Sequence, residues 1–176
     1  MKVAHFVLLL SSFVSFTFSQ AASADAATLL PFFENLEDRW RGEGLSEEFD
    51  WDGDTTSSLN FDLELEIEKQ GRQESWEFQQ QIRREDSTSA YETFYYSVGG
   101  DELFVSTFSN SDPVELLYTS EDRLGYRFES VEWWSGRIFK FEIHLSLQNN
   151  RLLNGTRTVQ VQGHLIERQS FRLKRR

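Results

Sequence analysis

The chain has 176 residues, no cysteine and a formal net charge of −11. That charge argues against nucleic acid as a partner, and the missing cysteines exclude a disulfide-stapled scaffold. The length suits one compact domain with a real core and leaves little room for a second.

The chain opens with Lys2, an apolar run from Val3 to Phe18 and then Ala22-Ser23-Ala24. A single early cation, an apolar stretch and a small-x-small site predict a cleavable export signal over 1–24. Ser11, Ser12, Ser15 and Thr17 dilute the run below what a membrane span of about 20 apolar residues needs. The mature chain is therefore expected to be periplasmic or secreted, with no integral membrane segment after cleavage. The absence of cysteine favours a periplasm.

Residues 25–38 predict a short helical segment. Leu29, Phe32, Phe33, Leu36 and Trp40 follow helical spacing, with Pro31 in the first turn. A short helix cannot bury such a face alone, so it is expected to lie on or plug a larger apolar opening.

From residue 39 onward the pattern changes to strands. Phe61-Asp62-Leu63-Glu64-Leu65-Glu66-Ile67-Glu68 alternates apolar and acidic side chains, which gives a strand one dry and one wet face. Strands are predicted at 39–49, 59–69, 75–83, 90–98, 102–108, 114–120, 123–131, 137–147, 151–161 and 164–173, separated by turn-rich links such as Gly99-Gly100. About ten consecutive strands on short links make a meander, and closure removes its exposed edges. The expected fold is therefore all-β: a closed antiparallel up-and-down β-barrel over 39–176 with a short N-terminal helix. Phe61, Leu63, Leu65 and Ile67 should point inward, as should Trp76, Phe78 and Ile82, then Leu124, Tyr126 and Phe128, then Phe139, Phe141, Ile143, Leu145 and Leu147. Acids crowd Glu34 to Glu68 while the chain ends Arg172-Leu173-Lys174-Arg175-Arg176, so the first and last strands are expected to pair and neutralise one another.

The stretch Leu36-Glu37-Asp38-Arg39-Trp40-Arg41-Gly42-Glu43-Gly44 resembles the opening Gly-x-Trp-x-Gly-x-Gly of nitrobindin-like and fatty-acid-binding-like barrels of the calycin superfamily, with Asp38 in place of the first Gly. The order of parts is similar over nearly all of the chain after the leader. The resemblance implies that Trp40 lies at the barrel bottom beneath a cation from the final strand, Arg168 or Arg172, by a stacking contact. It also implies, for the nitrobindin-like members, haem held by a His on the last strand. Here that region reads Glu167-Arg168-Gln169-Ser170-Phe171-Arg172, and no cofactor is expected.

Of the remaining candidates, His144 reads as part of an outward polar ladder with Lys140 and Glu142, and His164 as a turn residue beside Gly163. Neither has metal-ligand spacing around it. Asp50-Trp51-Asp52-Gly53-Asp54 resembles part of a calcium loop, but Gly53 is misplaced and Phe61 stands where a bidentate Glu belongs, so a solvated hairpin is expected, with Trp51 folding over the barrel mouth. Trp133-Trp134 ends a strand with one indole outward. Asn154-Gly155-Thr156 is a formal glycosylation sequon that otherwise reads as a turn or bulge. No nucleophile–base arrangement stands out, and an enzyme is not expected. The expected function is binding of a small hydrophobic or amphipathic molecule, with Trp40, Phe61, Trp76, Phe78, Tyr126, Phe128 and Phe141 around it. Two alternatives stay open: a barrel filled by its own aromatics that acts through its surface, and a haem-binding nitrobindin-like protein.

Overall fold

The computed structural model describes residues 26–71, 74–85, 88–100, 102–106, 112–131 and 135–176. The expected leader and the Trp133-Trp134 pair lie outside the described residues. Helix α1 (Ala26–Leu36) precedes strands β1 (Asp38–Phe49), β2 (Thr55–Lys69), β3 (Ser75–Arg84), β4 (Ser89–Gly99), β5 (Glu102–Ser106), β6 (Asp112–Pro113), β7 (Glu115–Ser120), β8 (Arg123–Val131), β9 (Ile138–Gln148), β10 (Leu152–Val161) and β11 (His164–Arg175).

The strands form one antiparallel sheet in the order β6-β5-β4-β3-β2-β1-β11-β10-β9-β8-β7. Its two ends are consecutive in the chain. β6 pairs with β5, whereas β7 pairs with β8. Between them the Val114 N–H donates to the Leu103 carbonyl at 2.9 Å. The run 112–120 thus changes partner halfway along, joins the sheet edges and nearly closes the barrel. Counting β6 and β7 as that one run, ten up-and-down strands surround the core, as the alternation predicts.

Directly paired residues in an antiparallel sheet share a face, so the register fixes what points inward. Trp40, Leu65 and Arg175 share one such row, and Gly44, Phe61 and Phe171 another. The carboxylates of β2 point out, where Glu64 meets Arg41 at 3.4 Å. β1 pairs with β11 throughout, setting Glu43 opposite Arg172 and Glu47 opposite Arg168. The acidic opening and basic end of the barrel do lie side by side. Asn149 and Asn150, both with φ near +50°, turn the chain between β9 and β10 in the left-handed conformation, and the Arg151 N–H closes the turn on the Gln148 carbonyl at 3.1 Å.

α1 seals one end of the barrel, called here the base. Leu29, Phe32, Phe33 and Leu36 are fully buried, and the helix packs against β4, β7 and β8. Two details differ from the helical spacing. Pro31 lies inside the helix rather than in its first turn, and the helix stops at Leu36, so Trp40 belongs to β1. Trp40 still joins the same cluster because its indole N–H donates to the Leu36 carbonyl at 2.9 Å. Among the described residues no helix is long and apolar enough to cross a membrane.

Candidate functional site

The inner face divides into two halves of different character. At the base, Phe33 of α1 stacks on Trp76 at 4.9 Å and packs against Phe78 and Tyr96. Trp40, Trp76, Leu124, Leu153 and Leu173 are at most 1% exposed. The Trp76 indole donates to Glu37 at 2.9 Å. The cation over Trp40 is Arg175, with its guanidinium 4.8 Å from the ring, and its Nη2 donates to the carbonyls of Asn35 and Glu37. This corrects the expected pairing with Arg168 or Arg172. Arg168 lies over Phe49 instead. Arg172, opposite Glu43, is on the outer face because its register is one residue out of phase with Leu173 and Arg175.

Midway up, two tyrosines meet across the lumen. Tyr96 of β4 and Tyr126 of β8 place their hydroxyl oxygens 2.7 Å apart. Each hydroxyl has one proton, and a single shared bond uses one of the two. The other has no acceptor among the described residues. Burial pushes the Tyr96 phenol up to about 12 and that of Tyr126 well above the usual range, while the charge of Arg157 pulls both back down.

Above the tyrosines the lumen is lined with polar groups. Arg157 and Glu167 sit at inward positions of β10 and β11. Arg157 Nη2 reaches both Glu167 oxygens at 3.3 Å. Glu167 also accepts from Gln169 at 2.6 Å and from the Ser46 hydroxyl at 3.5 Å. The Arg157 Nε–H is buried with no hydrogen-bond partner among the described residues. On the opposite wall Gln80 donates to the carboxylate of its cross-strand neighbour Glu92.

Inward-facing groups here are also reached by solvent. The Arg157 and Glu167 side chains each retain 24% exposure, and Phe94, Phe128, Ile143 and Phe171 are only partly buried. These groups point into the upper half of the barrel, where β4 before Tyr95 and β8 after Arg127 have no strand partner on their free sides among the described residues.

Glycine shapes this upper chamber. A Cβ on Gly44 would come within 2.2 Å of the Phe61 ring, and one on Gly155 within 2.1 Å of the Phe171 ring. Both rings therefore lie flat on the inner wall instead of projecting across the lumen. Gly155 is neither turn nor bulge, contrary to the expectation for Asn154-Gly155-Thr156. It lies mid-strand opposite Phe171, and the register shift of β10 falls at Val159/Gln160.

The seven aromatic residues expected around a ligand thus separate. Trp40, Trp76 and Phe78 belong to the packed base. Phe61, Tyr126, Phe128 and Phe141 line the upper half, where Phe128 stacks on Phe141 at 4.9 Å. Pattern reading passed over Tyr96, Arg157, Glu167, Gln80 and Glu92. The signal for them was present: Arg157 interrupts Leu153-x-Gly155-x-Arg157-x-Val159, and Gln80 interrupts Phe78-x-Gln80-x-Ile82, at positions the alternation reserves for the core.

The other candidates lie outside the lumen. His144 on the outer face bonds the Tyr118 hydroxyl at 2.8 Å and Glu142 at 2.7 Å, which extends the predicted outward ladder. Asp50 accepts from the backbone N–H groups of Asp52 and Asp54 at 3.0 Å each, so its carboxylate holds its own turn. Trp51 is exposed at the open rim and meets His164 edge-on at 4.9 Å.

No protein family and no curated protein matches the chain. Solved structures do share its fold. A protein of unknown function from the DUF3598 family, from Nostoc punctiforme, superposes with a TM-score of 0.56 at 12% identity. The alignment covers 82% of this chain and 49% of that one, so this chain spans about half of that protein's length. Rv2717c from Mycobacterium tuberculosis superposes with a TM-score of 0.55 at 15% identity over 81% of this chain and 93% of its own. The shared feature is the β-barrel.

Proposed function

We propose that the chain is an exported binding protein that holds one small amphipathic molecule in the upper chamber of its barrel and catalyses no reaction on it. The observation that carries this reading is the residual exposure of Arg157 and Glu167 on the inner face, in a barrel whose other end is plugged. Aromatic walls from Phe61, Phe128 and Phe141 supply apolar area, worth about 25 cal/mol per Å² withdrawn from water. A few inward polar groups orient the polar end, the usual composition of a small-molecule pocket. The leader at 1–24 supports export to a periplasm or the medium.

Titration with Nile red, a neutral solvatochromic probe, tests this. Saturable one-to-one binding with a blue-shifted emission is expected, and Phe128→Ala should weaken it by about tenfold, in line with removal of a buried aromatic contact. Absence of saturable binding would favour a barrel that acts through its outer surface. The haem alternative has less support, since His164, which register sets opposite the buried Val161, is exposed at the rim and meets Trp51 there; a Soret band on haem addition would revive it.

A further inference from the structure

We infer that the upper chamber selects a ligand whose polar end is neutral and accepts hydrogen bonds, such as an amide or ketone, and discriminates against carboxylates. This rests on the binding reading above and adds the chemical class of the ligand's head.

The inference comes from counting what the inner polar groups have left to offer. Two donors have no partner among the described residues: one of the two Tyr96/Tyr126 hydroxyl protons and the Arg157 Nε–H. A buried donor without a partner is costly, so a ligand that brings acceptors there gains what the empty protein lacks. The charge, however, is already taken. Arg157 faces Glu167 through both carboxylate oxygens, and Gln169 and Ser46 hold that carboxylate in place. An incoming carboxylate would meet Glu167 as well as Arg157.

The opposite wall adds Glu92, bonded to Gln80 and without an ion-pair partner among the described residues. Nearer the rim, register places Arg84 and Glu48 on the inner face as well, one of each sign. The chamber therefore presents Arg84 and Arg157 against Glu48, Glu92 and Glu167, and it is acidic on balance. A cationic head fares poorly for another reason. It brings no acceptor for the two free donors and lies against the Arg157 guanidinium. A neutral acceptor can take a hydrogen bond from either donor and disturbs neither charge.

Displacement of Nile red by three amphipaths with the same twelve-carbon tail decides the matter, with the purified full chain at neutral pH: dodecanamide, dodecanoate and dodecylamine. The amide should compete at least tenfold more strongly than either ion. Glu167→Gln releases the Arg157 charge and should strengthen dodecanoate by tenfold or more while leaving the amide within about twofold. Glu92→Gln, on the other wall, should move dodecanoate in the same direction and gives a second reading if the first variant folds poorly. Dodecanoate binding as tightly as the amide to the unaltered protein would overturn the inference while leaving a binding function intact. Failure of all three to displace the probe, or no probe binding at all, would overturn both.

Discussion

At the residue scale the chamber depends on which inward positions carry no side chain. Gly44 and Gly155 let Phe61 and Phe171 lie against the wall, so Gly155→Val pushes the Phe171 ring into the lumen. Overpacking of this kind costs about 1–3 kcal/mol. Urea denaturation should show that loss together with weakened Nile red binding, whereas Thr156→Val, at the exposed outward neighbour on β10, would leave binding unchanged. The tyrosine pair makes a separate prediction about pH. Both phenols titrate higher in the folded than in the unfolded chain, mainly through burial, so their stabilising contribution is complete below pH 10, the ordinary phenol value. It is lost as pH rises, since the unfolded chain releases these protons first. Stability should fall as pH rises above 10, by at most about 1.4 kcal/mol per pH unit for each phenol. Tyr96→Phe should make that alkaline slope shallower, and an unchanged slope in urea titrations would contradict the burial of the pair.

At the element scale α1 determines which half of the barrel is filled. Four fully buried side chains on a helix of eleven residues make its docking an apolar event, since helices this short are marginal on their own. Phe33, which touches Trp76, Phe78 and Tyr96, is the centre of that contact. Phe33→Ala should destabilise the protein by about 3–5 kcal/mol, and hydrogen exchange should show α1 losing protection ahead of the strands. The plug was legible in sequence from Leu29, Phe32, Phe33 and Leu36 at helical spacing. The strands were legible from period-two alternation, which survives wherever one face is dry and the other wet. The base cation was not. Several arginines alternate along β11, and only the pairing register with β1 decides that Arg175, not Arg168 or Arg172, shares a face with Trp40. The partner change at Val114 was equally hidden, because a run of 112–120 reads the same whether it pairs with one strand or two.

At the scale of the whole molecule, a base sealed by α1 and a solvent-reached upper half make a cup. Aromatic content alone left hollow and filled barrels equally open, because rings large enough to line a cavity are large enough to fill one. In the structure Trp40 and Trp76 fill the base, while higher up the Phe61 ring lies flat on Gly44. The polar half of the site was legible only as departures from alternation at Gln80, Glu92 and Arg157, and single departures carry little weight until the register brings them to one lumen.

Binding of Nile red to a variant with an occluded chamber tests the cup most directly. Ala90 faces inward opposite Ile82, and Ala90→Trp places an indole in the upper half without touching α1. Tyr91, its exposed outward neighbour on β4, gives the control Tyr91→Trp. Ala90→Trp, still folded by circular dichroism, is expected to lose saturable binding while Tyr91→Trp retains it. Equal binding by both variants would contradict a ligand inside the barrel.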